Sequence, residues 1–218
     1  MSVSLNRKKI KPFSIVGRTL SLYDDIDKFV SSSSKPSCID GCCQCCNDYF
    51  YIYEWEFYTI LFYLVNLNDD DYLSSKINYS KECIEHIKIN NLEEYRRLNS
   101  QNKPQIPGEL MLPQHNLGIK CPFLSCNNRC EIYEVRPLMC REYGVFEHTY
   151  CDKITNQKFI NIDEFKGNNR ISRIMYPNGT FRIPYPIIEW LGSMARPILA
   201  SNKLKLSYSV SDFDFYNR

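Results

Sequence analysis

The clearest periodic signal along the chain lies at residues 54–67. There Phe57, Ile60, Leu61, Leu64 and Val65 fall at i, i+3, i+4, i+7 and i+8, the spacing of one apolar helix face. A shorter pattern at 21–30 (SLYDDIDKFV) predicts a helix with Ser21 as its cap, preceded by an irregular or extended lead-in over 1–20. The serine-rich stretch 31–37 reads as a linker, and the aromatic, β-prone segment 48–53 (DYFYIY) as a short strand. The NDDD run at 68–71 breaks the main helix. A second helix is expected over 80–99, with Ser80 at its start and Ile84, Ile87, Ile89 and Leu92 as its apolar positions.

Residues 100–120, rich in proline and glycine, predict a long loop. Further on, 158–165 reads as a strand. The Asn178-Gly179 pair between β-prone flanks predicts a hairpin over 173–184. Residues 186–194 predict a short amphipathic helix opened by a proline, and 203–208 a last strand. The fold expected from these elements is α+β and α-rich, with helices packed around a loop-rich core. Three regions are expected: an extension over 1–35, a cysteine-rich domain over 36–151, and a C-terminal extension over 152–218 carrying the hairpin and helix.

Composition changes this picture in one respect. Apolar residues at 44% and charged residues at 24% are ordinary for a globular chain of 218 residues, long enough to bury a core without covalent staples. The net charge of +2 supplies no field that argues for nucleic acid or a membrane surface as partner. The unusual feature is 11 cysteines in a chain without a recognisable export signal, whose longest apolar run, 57–65, is too short to span a bilayer. These observations place the protein in the cytoplasm, where thiols stay reduced and a dense cysteine pattern points to metal rather than disulfides.

The cysteines fall in two blocks. The first is Cys38, Cys42, Cys43, Cys45 and Cys46, five thiols in nine residues, with Gly41 and Gln44 interrupting any regular apolar period. A tight glycine-containing loop can turn several sulfurs toward one ion, and both zinc and cluster iron accept cysteine thiolates. The second is Cys121-Pro-Phe-Leu-Ser-Cys126, then Cys130-Glu-Ile-Tyr-Glu-Val-Arg136-Pro137-Leu-Met-Cys140-Arg141, closed by Cys151. It predicts a turn, a short strand over 130–133 and a helix starting near Pro137, with Cys140 in its first turn, where a helix N-terminus and neighbouring arginines favour thiolate over thiol.

The two blocks, CIDGCCQCC at 38–46 and CPFLSCNNRCEIYEVRPLMCREYG at 121–144, resemble those of the CxxCxxCC family of zinc- or iron-chelating domains, also called YkgJ-like. The resemblance runs over roughly 36–151. It implies that Cys38, Cys42, Cys45, Cys46, Cys121, Cys130, Cys140 and Cys151 bind Zn2+ or an iron–sulfur cluster. The first spacing departs from the family pattern, with three residues between Cys38 and Cys42 in place of two. Cys43 fills a slot that varies in the family. Cys43, Cys83 and Cys126 are thus extra thiols; Cys83 reads as a buried thiol, and Cys126 lies between two of the implied ligands. His148, three residues before Cys151, is a further candidate ligand or ligand partner.

Arg136 and Arg141 have two readings, neutralising a thiolate cluster or pairing with Glu134 and Glu142. Glu54 and Glu56 suit the positive end of the helix that follows the first block. The chain carries no phosphate loop, dinucleotide fingerprint, HExxH or nucleophile elbow. The expected function is metal chelation, with the metal ion as partner and any protein or peptide partner unknown. The alternative is a zinc or iron–sulfur enzyme that modifies a peptide or protein by redox chemistry or group transfer.

Overall fold

The structure, a computed structural model, describes residues 5, 7–32, 41–47, 50–99, 117–143 and 184–211. The sequence-based expectations at 33–37, 100–116, 158–165 and 173–183, together with Cys38, His148 and Cys151, lie outside them. The described part is helix-rich with one two-stranded antiparallel sheet, so the α-rich α+β expectation holds.

The first helix, α1 (Ile15–Ser32), starts earlier than its apolar pattern suggests. Its cap is Ser14, whose Oγ accepts the Gly17 N–H at 3.1 Å, while Ser21 is an exposed residue within the helix. Glycine at 17 hides this start from a propensity reading, yet the fold requires it. A Cβ there would stand 2.3 Å from the Lys11 carbonyl oxygen and 2.9 Å from that of Pro12. Alanine normally improves a helix, but here it must displace backbone. Gly17→Ala is therefore expected to destabilise the protein by about 1–3 kcal/mol, read as a lowered melting temperature.

α1 packs on α2 (Glu54–Asn66), the central helix. The residues of its expected face, Phe57, Ile60, Leu61 and Leu64, are buried. So are Trp55, Glu56, Tyr58, Thr59, Phe62 and Tyr63 on its other sides, whereas Val65 is exposed. A helix buried all round needs cover from several elements. The strand before it, β1 (Tyr51–Ile52), supplies one: it pairs antiparallel with β2 (Tyr185–Pro186), Tyr51 opposite Pro186 and Ile52 opposite Tyr185.

Asn68, in the left-handed region at φ 53°, ends the connection after α2. Asp69 then caps α3 (Asp70–Asn90) by accepting the Tyr72 N–H at 2.8 Å. The acidic run is thus partly a break and partly a helix start. The expected second helix begins ten residues earlier than Ser80, which is a buried residue within α3. Asn91 separates α3 from α4 (Leu92–Leu98), where one helix over 80–99 was expected. Ile84 and Ile87 are buried, but Ile89 and Leu92 are exposed.

In the second cysteine block the strand expected over 130–133 reduces to one bridge, Leu124 with Cys130. A 3-10 turn follows over Tyr133–Val135, and then α5 (Leu138–Glu142). Pro137 is the N-cap of α5 and Cys140 lies in its first turn, as expected.

After β2 the chain is helical through α6 (Ile187–Glu189), a π-helical turn (Trp190–Met194) and α7 (Ala195–Ala200). Pro197 lacks the N–H that the Ser193 carbonyl would accept in a regular helix, and the wider turn precedes it. This unit covers α3, and Trp190 stacks on Phe57 with ring centroids 5.1 Å apart and donates its indole N–H to the Ile52 carbonyl at 3.0 Å. The last segment, read as a strand, is a helix, α8 (Lys203–Ser209). Its alternating leucines resemble a strand, but Leu204 and Ser207 are the buried pair, one helical turn apart. It packs on α1 and α2, with Tyr208 against Phe62 at 4.8 Å.

Candidate metal centre

The first cysteine block turns sharply. Gly41 holds φ +81°, and a 3-10 turn spans Gln44–Asn47. The Cys43 carbonyl accepts the Cys46 N–H at 3.0 Å and the Asn47 side-chain amide at 3.1 Å. Cys42, Cys43, Cys45 and Cys46 are all half-buried.

The second block meets this turn directly. The Cys121 N–H donates to the Cys46 carbonyl at 2.6 Å, joining residues 75 positions apart. The chain then doubles back. Leu124 N–H returns to the Cys121 carbonyl at 3.1 Å, Ser125 N–H bonds the Arg129 carbonyl at 2.9 Å, and Glu131 N–H bonds the Phe123 carbonyl at 2.9 Å. Asn128, at φ 56°, makes the return possible. This loop sets Cys121 and Cys130 on neighbouring strands of chain, and α5 brings Cys140 in beside them.

Cys45, Cys121, Cys130 and Cys140 stand within electrostatic range of one another, so ionising one opposes ionising the others. Burial pushes the Cys121 thiol up to about 12, and the nearby Cys130 and Cys45 add to it. Burial likewise raises Cys130 and takes Cys140 well above the ordinary thiol range, with Cys45, Cys121 and Cys130 adding to the rise at Cys140. Opposing groups favour the thiolate. The Phe123 N–H bonds the Cys121 sulfur, the Ile132 N–H bonds the Cys130 sulfur, and Arg136 acts on both Cys130 and Cys140.

Arg136 lies over the Tyr133 ring at 4.1 Å, and its Nε is buried with no hydrogen-bond partner. A buried donor left over beside crowded thiols is the complement of a cluster of negative sulfurs. The donor set therefore fits a thiophilic cation: four sulfurs, two with backbone donors, one arginine, and crowding that a positive centre would relieve. Among the described residues, no three histidine, cysteine, aspartate or glutamate side chains already stand in ion-holding geometry.

The other thiols separate from this group. Cys83 is buried on α3, where it hydrogen-bonds Tyr79, and burial raises its pKa. Cys126 is exposed at the tip of the loop, its Sγ 3.8 Å from Asn127 Oδ1.

Arg141 is engaged by α1. It is buried and bonds Asp27 of α1, and its guanidinium lies over the Tyr23 ring at 4.1 Å. Glu56 is likewise more than a charge at a helix end. It is buried, and its Oε1 accepts the Leu138 N–H at 2.6 Å and the Tyr23 hydroxyl at 3.1 Å, while Oε2 accepts the Tyr53 N–H at 2.9 Å. One carboxylate thus caps α2 and α5 together. The local signal for half of this role was present, since glutamate at the third helical position can bond back to the N-cap N–H. Nothing local signals the bond to Leu138.

These features define a helical protein with a cysteine-lined site suited to soft metals. The model of the CxxCxxCC family, described as "Putative zinc- or iron-chelating domain", matches residues 37–164, more than half of the chain, and the chain belongs to this family. No curated protein and no solved structure matches the chain. Among the described residues, no helix is long and apolar enough to cross a membrane.

Proposed function

We propose that the chain holds zinc or an iron–sulfur cluster at two thiolate centres. One is built from Cys45, Cys121, Cys130 and Cys140. The other draws on Cys38, Cys42, Cys46 and Cys151. The carrying observation is that the first four thiols, drawn from both blocks, stand within electrostatic range of one another, supported by the Cys121 to Cys46 backbone bond. Assigning Cys45 and Cys46 to different centres follows from their place in a 3-10 turn, where successive side chains point about a third of a turn apart. When bound, the metal neutralises the crowded thiolates and cross-links the two blocks. A reducing cytoplasmic setting suits cysteines that are free throughout the described residues.

The test is anaerobic purification followed by elemental analysis and absorption spectroscopy. Bound zinc with no visible absorption, or iron and sulfide with visible thiolate-to-iron bands, supports the proposal and identifies the group. A folded protein that takes up neither metal, even on reconstitution under reducing conditions, overturns it.

A further inference from the structure

α1 ends at Ser32, before the segment matched by the family begins at residue 37, yet it reaches the cysteine site through two side chains. Arg141, immediately after Cys140, is the intermediary. Its Nε donates to the Arg136 carbonyl at 3.0 Å and its Nη2 to the Glu134 carbonyl at 2.6 Å. Those carbonyls belong to the stretch between Cys130 and Cys140, so one guanidinium ties the two cysteine-bearing segments to each other. The third arm, Nη1, bonds Asp27 Oδ2. The Arg141 side chain is 2% exposed and that of Asp27 48%, so Asp27 anchors a buried cation from the solvent edge. Asp27 also stands 4.0 Å from Nη2 of Arg136, the arginine that faces the thiols.

Tyr23, one helical turn before Asp27, completes a closed circuit. Its ring lies under Arg141, and its hydroxyl bonds Glu56, which holds the Leu138 N–H at the start of α5. The helix carrying Cys140 is therefore gripped at its first residue through Glu56 and at its fourth through Arg141. Both grips run back to α1.

We propose that α1 is a working part of the metal centre, with Asp27 and Tyr23 as positioning residues that hold Arg141 and Glu56, and through them the spacing of Cys130 and Cys140. This rests on the chelation reading above. A fork with three bonds to two carbonyls and a carboxylate is a rigid connector, and removing the charge of its anion partner leaves a buried cation less well compensated. Outer partners of this kind typically tune metal affinity about 10–100-fold.

The experiment uses the full chain. Zinc affinity is measured by competition with a chromophoric chelator, and the cobalt-loaded protein is examined for its thiolate-to-cobalt charge-transfer absorption. Asp27→Asn is expected to weaken zinc by about 10–100-fold and to reduce the charge-transfer intensity, because fewer sulfurs reach the ion together. Asp24→Asn is the control: Asp24 lies on the same helix as Asp27, the change removes only its exposed ion pair with Arg7, which precedes that helix, and both readouts stay unchanged. If Asp27→Asn folds poorly, Tyr23→Phe takes its place. It keeps the ring under Arg141, removes only the hydroxyl to Glu56, and is expected to give a smaller loss in the same direction. Wild-type affinity and spectrum in the Asp27 or Tyr23 variant, or an equal loss in Asp24→Asn, overturns the proposal while leaving chelation intact. Wild-type protein that takes up neither zinc nor cobalt, and no iron–sulfur cluster on reconstitution under reducing conditions, sinks the chelation reading, and this one with it.

Discussion

Cys140→Ser is expected to reduce bound metal to a trace, while Cys83→Ser retains the wild-type content. Both residues are cysteines on helices, and burial raises both pKa values. What separates them is company. Cys140 lies within electrostatic range of Cys45, Cys121 and Cys130, with Arg136 favouring its thiolate. Cys83 is on α3 with Tyr79 as its hydrogen-bond partner, a contact that a serine hydroxyl can also make. Removing a direct sulfur ligand costs more than the tenfold to hundredfold loss typical of outer partners, so the loss in affinity should exceed about a hundredfold. Elemental analysis after dialysis against a weak chelator reads it. Circular dichroism of the metal-free proteins separates lost binding from lost folding, since serine at either position should cost on the order of 1 kcal/mol. Metal retained in Cys140→Ser but lost in Cys83→Ser would reverse the ligand assignment.

The parts of this protein that could be read from sequence are those whose signal is local. The run around Phe57, Ile60, Leu61 and Leu64 marks α2 because burial at helical spacing leaves its own period. The cysteine blocks are visible because their spacing is itself the chemistry. The helix before the first block was only half legible. Ser14 and Gly17 do not look like a helix start until Lys11 and Pro12 are seen folded against Gly17. The start of α3 was hidden because the acidic run supplies both the end of one element and the cap of the next. The least legible features are the pairings across the fold. Arg141 and Asp27 lie 114 residues apart, and Glu56 and Leu138 82 apart. Either arginine beside the cysteines could have faced the sulfurs. Arg136 acts on them while Arg141 is engaged by α1, which offers it an anion and an aromatic face.

Glu56→Ala is expected to destabilise the protein strongly, and its cost should depend on pH. The substitution strips the acceptor from the Tyr53 N–H, the Leu138 N–H and the Tyr23 hydroxyl in a buried site. Each unsatisfied group costs about 1–3 kcal/mol, so a loss of about 3–9 kcal/mol is expected, a large fraction of the stability of a typical domain. Burial pushes the Glu56 carboxyl up to about 7, against the three donors that oppose the shift. A carboxyl whose folded value is raised from an ordinary 4.5 contributes stability that is fully present below about 4.5 and is lost as pH rises through about 7. The gap between wild type and Glu56→Ala should therefore be wider at pH 5 than at pH 8, by on the order of 3 kcal/mol. Denaturant unfolding of the two proteins, prepared alike at both values, measures it, and taking the difference removes every titration they share. Glu56→Gln should fall between them, because its oxygen can still serve Leu138 and Tyr23 while its amide cannot accept from Tyr53. A gap that widens with pH would mean that the three donors outweigh burial and keep Glu56 ionised in the core.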